Sequence, residues 1–165
     1  MQYYKFFLKT HKWVGIIFSL VFLNIAVTGF LLLQKKNYAW LQPVTETGAR
    51  GEIKDFITME ELLDVVFRQG HEDFQSLEDI DRIDFQPTKR VHKVQSRYNH
   101  SEIQVDAVTG KVLNTNWRAS DLIENLHDGS FFGKWFHDWL MPLVAAAVFF
   151  LTVSGLYIWI RRAIR

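Results

Sequence analysis

The chain has 165 residues, a formal net charge of +1 and a mean hydropathy of −0.03. There is no basic, aromatic-rich surface to argue for nucleic-acid binding. Cysteine is absent, which excludes a disulfide framework, a thiolate metal site and a cysteine nucleophile.

The near-zero hydropathy averages two apolar ends with one hydrophilic middle. Residues 1–12 carry Lys5, Lys9 and Lys12. From Trp13 to Leu33 the chain then runs 21 residues without a charge. At 1.5 Å rise per residue such a helix spans roughly 30 Å, the hydrocarbon thickness of a bilayer. A cleaved signal peptide is the competing assignment. The run is too long for a typical signal core and no small-x-small cleavage site follows it. Gln34, Lys35, Lys36, Tyr38 and Trp40 follow instead and suit a headgroup anchor, so 13–33 is expected to be a retained membrane helix.

Residues 34–54 read as a linker, with Pro43, Gly48 and Gly51. A soluble domain is expected over 55–119. Thr58-Met59-Glu60-Glu61 is a capping box, and Leu62, Leu63, Val66 and Phe67 follow at helical spacing up to Gly70. Ile83 and Phe85 alternate with polar residues as in a half-buried strand, and Val91 to Arg97 and Glu102 to Ala107 are two further strands. Asp106 to Gly110 supplies a turn, and Lys111-Val112-Leu113 begins the return strand. A helix capped by Ser120 leads through 120–138 toward a second apolar run, Trp139 to Ile160, again uncharged over 22 residues. Residues 161–165 close the chain with Arg161, Arg162 and Arg165.

These elements predict an α+β membrane protein in which two transmembrane helices flank a helix packed on a small antiparallel sheet. Six basic residues at the outer ends of the two runs face three (Lys35, Lys36 and Lys134) on the inner side. The positive-inside rule then places both termini in the cytoplasm and the middle in the periplasm of a bacterial inner membrane. Gly15, Ser19, Asn24, Thr28 and Gly29 interrupt the first run; Ala145 to Ala147, Thr152, Ser154 and Gly155 interrupt the second. Small and polar residues let membrane helices approach closely, either within one chain or as a four-helix homodimer, and two helices alone enclose so little that the homodimer is expected.

The order helix, strands, then EIQVDAVTGKVL resembles a PepSY domain. HKWVG (His11 to Gly15), LHDGSFFG (Leu126 to Gly133) and a span ending SGLYIW (Ser154 to Trp159) are similar to segments of PepSY-associated transmembrane proteins. Larger members of that family carry two such units, and some are haem-containing ferric reductases of siderophore-iron uptake. The resemblance therefore implies a b-type haem electron-transfer protein, and a homodimer of this single unit would rebuild what those members make by fusion.

Of six histidines, three sit where ligation is plausible. His11 matches the family's His-x-Trp-x-Gly motif and His127 its Leu-His motif, so both are expected on haem iron; His137 is a further candidate without an assigned family position. His71, His92 and His100 lie next to polar residues and read as solvated. His11 stands about 30 Å from His127 and His137, one hydrocarbon thickness, so it shares no iron with them inside one chain. A second protomer or another partner must complete a bis-histidine site, unless His127 and His137 pair through a fold-back of Gly129 to Gly133. Haems at both faces would carry electrons from a redox partner or quinone to an external acceptor.

Phosphate loops, zinc-protease and serine-elbow motifs, and nicotinamide or flavin fingerprints are all missing. Glu60/Glu61 and Glu78/Asp79/Asp81 read as solvated charge runs. The alternative function is a non-catalytic accessory or assembly subunit of a larger membrane complex, binding a protein through its PepSY-like domain.

Overall fold

Twelve segments of helix and strand alternate between two compact units in the computed structural model, which describes residues 2–164. Arg165, counted in the charge balance above, lies outside the described residues. One unit is helical and comprises the chain up to Leu33 and from Ile123 onward; the other spans Gln34–Leu122.

In the helical unit, α1 runs over Gln2–Leu33 and α4 over Met141–Ala163. The first begins well before the expected boundary at Trp13, because Lys5, Lys9 and Lys12 are good helix formers and no proline stops propagation toward the N-terminus. It ends in a turn closed by the Asn37 amide on the Gln34 carbonyl at 2.8 Å. Pro142 stands in the first turn of α4, where a missing amide hydrogen costs little. A π-helical turn, Phe136–Leu140, precedes it.

Helices α1 and α4 pack against each other along their small-residue faces. Thr28, Val144, Ala147 and Ser154 are buried, Gly15 admits Leu151, and Phe7 lies against Phe150 and Tyr157. The small residues expected to mediate association are thus used within one chain. The opposite faces remain uncovered: Leu20 is 79% and Phe149 72% exposed. A soluble protein's core helix would bury such residues, whereas a bilayer covers them with lipid.

In the other unit, α2 (Met59–Arg68) begins at a complete capping box. Thr58 Oγ1 accepts from the Glu61 amide and the Glu61 carboxylate accepts from the Thr58 amide at 2.7 Å. Four antiparallel strands follow in meander order: β1 (Ile80–Gln86), β2 (Val91–Ser96), β3 (Ser101–Asp106) and β4 (Val112–Trp117). Helix α3 (Ala119–His127) follows β4. The architecture is α+β, with membrane-type helices flanking the sheet. Alternation sends Val94, Ile103 and Val105 to one face, where they form a core with Leu62 and Val66 of α2, Phe74 and Ile80. In the β3–β4 turn Asp106 Oδ1 accepts from the Val108 and Thr109 amides, which is why aspartate opens the Asp-x-x-Thr-Gly stretch.

The second sheet face is polar yet buried. The expected linker lies hydrogen-bonded to it instead of running free. Gln104 Oε1 accepts from the Glu46 amide and its Nε2 donates to the Val44 carbonyl, while Asp106 Oδ2 accepts from the Ala49 amide. Gly48 is required here, since a Cβ would stand 2.4 Å from the Arg90 carbonyl oxygen. Beside this strap Glu102 is enclosed, with Arg118 Nη1 at 2.5 Å, Lys93 Nζ at 3.4 Å and Gln104 Nε2 at 2.8 Å. Arg118 also reaches Asp121 at 2.8 Å. Burial works against the Arg118 charge, but Asp121 and Glu102 together outweigh it and hold its pKa above the ordinary value.

The other charge runs have local structural uses. Glu61 caps α2, and Asp79 Oδ2 accepts from Ser76 ahead of β1.

The three histidines expected to be solvated are half-buried beside aromatic rings. His71 meets Phe74 edge-on, and His100 does the same to Trp117. His92 stacks on Phe85 at 4.7 Å, with both ring nitrogens buried and lacking a partner among the described residues. It occupies the core face opposite Val105 because the register leaves that strand position no other direction. Burial accordingly lowers its pKa.

Candidate functional site

Of the three candidate histidines, His11 and His127 each meet a membrane-type helix other than the helix that carries them. His11, on α1, directs its Nδ1 to Ser154 Oγ of α4 at 2.7 Å. Its ring lies against Gly155, where a Cβ would come within 3.2 Å of His11 Cε1. His127, the last residue of α3, directs its Nδ1 to Thr28 Oγ1 of α1 at 2.9 Å. Its ring lies against Gly29, where a Cβ would come within 3.3 Å of His127 Cε1. The two sites therefore have one plan: an imidazole seated on a glycine of the facing helix and tied through Nδ1 to the hydroxyl just before it.

Asn24 completes the His127 site. Its Nδ2 donates to the Leu126 carbonyl at 2.8 Å, and its own carbonyl accepts from Thr28 Oγ1 at 2.6 Å. The membrane-depth asparagine thus finds its partner inside the chain, one residue before His127.

His137 is placed differently. The segment after His127 turns back through Gly129 and Gly133, both with positive φ, and a 3₁₀ turn at Ser130–Phe132. Gly129 also admits Met141 closely. The fold-back brings His137 Nδ1 to 3.1 Å from the Asp128 carbonyl oxygen. The structure thus gathers His127 and His137 at one end of the helix pair and leaves His11 at the other. From residue 11 to residue 28 along α1 is about 26 Å at 1.5 Å per residue. No group of three or more His, Cys, Asp or Glu side chains that could hold a metal occurs among the described residues.

The sequence profile of the PepSY-associated TM region matches residues 8–165. The chain belongs to the PepSY-associated TM region family. All three candidate histidines, the whole of α4 and α1 from residue 8 onward fall inside the match of this PepSY-associated protein. Two long apolar helices with uncovered faces, in a family defined by its transmembrane region, make it a membrane protein. No curated protein and no solved structure is significantly similar to it.

Thr28, Gly29, Ser154 and Gly155 stood out in the sequence only as interruptions of apolar runs. A stronger signal was available in this PepSY-associated chain. His11 precedes Thr28 by seventeen residues, and His137 precedes Ser154 by the same number. Aligned without gaps, the two helices share His-x-Trp (His11, Trp13; His137, Trp139), then Val-Thr-Gly against Val-Ser-Gly, then Lys35-Lys36 against Arg161-Arg162. The helices are two copies of one pattern, packed antiparallel so that each hydroxyl–glycine pair receives a histidine from the other side. The symmetry breaks once. Thr28 and Gly29 receive His127 rather than the repeat's own His137, which follows a fold-back and sits in a π-helical turn that re-aims side chains.

Proposed function

We propose that the protein is a b-type haem electron-transfer unit of a bacterial inner membrane, with both termini cytoplasmic and the sheet unit periplasmic. One observation carries this reading. Two histidines, His11 and the His127 seated on Thr28 about 26 Å further along α1, are each tied by Nδ1 to a hydroxyl of another helix, and no described residue hydrogen-bonds either Nε2. Metal-bound histidines have this arrangement, with one nitrogen anchored and the other free to bind. The glycine under each ring lets the imidazole lie close to the helix axis.

Haem, when bound, supplies reversible one-electron exchange at its iron. The residues that would hold it are His11 and His127, each through one imidazole nitrogen, with the apolar helix faces excluding water. At the His127 level the same chain also offers His137, anchored on Asp128. At the His11 level the described residues include no second histidine, so a second copy of the chain or another membrane protein supplies it. A homodimer answers that need symmetrically. The electron donor is then a quinone or redox protein, because the chain has no nicotinamide or flavin fingerprint.

The test is an absorption spectrum of protein purified from haem-replete cells. A Soret band with sharp α and β bands after dithionite is expected, and His11→Ala and His127→Ala should each remove part of it. A colourless protein would refute the haem reading and favour an accessory subunit that binds a partner through its sheet unit.

A further inference from the structure

The two hydroxyls do more than touch the rings, because each has a single proton to give. Thr28 Oγ1 is 2.6 Å from the Asn24 carbonyl, one helical turn back, and Ser154 Oγ is 3.3 Å from the Leu151 carbonyl. Such back-bonding is the usual resting place of a helical Ser or Thr hydroxyl, all the more inside a membrane where no water competes. At Thr28, with the proton committed to the Asn24 carbonyl, the oxygen turns only lone pairs toward the imidazole. At Ser154 the carbonyl contact is long for an O–H···O bond, and the same arrangement is inferred there from the matching half of the repeat. The ring nitrogen facing the hydroxyl oxygen must then be the donor. In a neutral imidazole the proton then sits on Nδ1 and Nε2 keeps a bare lone pair.

We propose that Thr28 and Ser154 are positioning residues that lock His127 and His11 as Nδ1–H tautomers, leaving both Nε2 atoms permanently ready to bind a metal. The lock deepens the haem reading, since iron needs that lone pair, but it is a property of the chain before any haem arrives. Gly29 and Gly155 belong to the same device, because each lets the ring approach the hydroxyl that precedes it in sequence. That the device occurs twice, on helices whose sequences repeat, argues against a chance contact. At the His127 end it is reinforced, because the Asn24 side chain holds the Leu126 carbonyl while the Asn24 carbonyl holds the Thr28 proton.

The tautomers can be read directly. The full chain, labelled with ¹⁵N-histidine and placed in lipid nanodiscs without added haem, is examined by two-bond ¹H–¹⁵N correlation. His11→Gln and His127→Gln assign the signals. Both rings should show the Nδ1–H pattern. Thr28→Val should convert His127 alone, Ser154→Ala should convert His11 alone, and Thr28→Ser should retain the wild-type pattern. Finding Nε2–H on either ring of the wild-type protein would overturn the lock whether or not the variants fold. Unchanged tautomers in folded Thr28→Val and Ser154→Ala would overturn it as well. A protein with locked tautomers that takes up no haem would instead refute the proposed function and leave the lock standing.

Discussion

Replacing Glu102 by glutamine removes the central anion of a buried network while keeping its shape. The carboxylate is enclosed by Lys93 Nζ at 3.4 Å, Arg118 Nη1 at 2.5 Å and Gln104 Nε2 at 2.8 Å, and the side chains of Glu102, Lys93 and Arg118 are 0%, 3% and 5% exposed. Breaking a buried pair from one side typically costs about 3–5 kcal/mol, since it strands the other charge. Here Arg118 keeps Asp121 at 2.8 Å, so the stranded charge is mainly Lys93 and the lower end, about 3 kcal/mol, is expected. That is a large share of the roughly 5–15 kcal/mol that holds a domain together. Hydrogen exchange of the full chain, followed by mass spectrometry on peptides covering β2 and β3, should accelerate roughly a hundredfold. Adding Lys93→Met to Glu102→Gln should recover most of the protection, because no unpaired cation remains. A loss below about 1 kcal/mol, the scale of an exposed ion pair, would refute the claim that this face is sealed.

His92 should make the sheet unit acid-sensitive. Its folded pKa lies below the unfolded 6.5, so the unfolded chain binds the proton first and stability falls as pH drops from about 6.5 through the folded value. His92→Phe keeps a ring on Phe85 and should flatten that segment of a urea-midpoint-against-pH profile; an unchanged profile would show that the sensitivity lies elsewhere. The helix glycines should separate by what faces them. Gly15→Ala meets only Leu151 at 3.9 Å and should stabilise by about 0.5–1 kcal/mol. Gly29→Ala and Gly155→Ala drive a Cβ to 3.3 and 3.2 Å from an imidazole and should each lose about 1–3 kcal/mol. Thermal unfolding in detergent ranks all three, and equal melting temperatures would mean that the rings are not seated on these residues.

The elements were legible where their physics is local. The Thr58–Glu61 capping box, the alternation through β1 to β3 and the Asp106 turn all appear at the places their residue types require. Alternation reports which strand positions share a face but not what covers that face. Nothing local in the sequence therefore tells that the 44–49 segment is hydrogen-bonded over the face carrying Lys93, Glu102 and Gln104. His92 was hidden for the converse reason, since a polar residue on the apolar face gives no local sign of its burial. Among the site residues, His11 was visible beside the first apolar run and His127 in the segment approaching the second, both through the motifs of the resemblance. Their partners lie 143 and 99 positions away, beyond any local pattern, and only the gapless repeat of the two helices encodes that pairing.

The repeat bears also on how the chain enters a bilayer. Since α1 and α4 share the His-x-Trp, hydroxyl–glycine and basic-pair pattern and lie antiparallel, the proposed topology threads that pattern once in each direction. Each copy is followed by a basic pair at the same register, Lys35-Lys36 and Arg161-Arg162, so these pairs cancel as orientation cues. The decision then falls on the first emerging turns of α1, where Lys5, Lys9 and Lys12 have no counterpart at the start of the second copy apart from Lys134. In the topology proposed above, these three lysines set which way the first helix points.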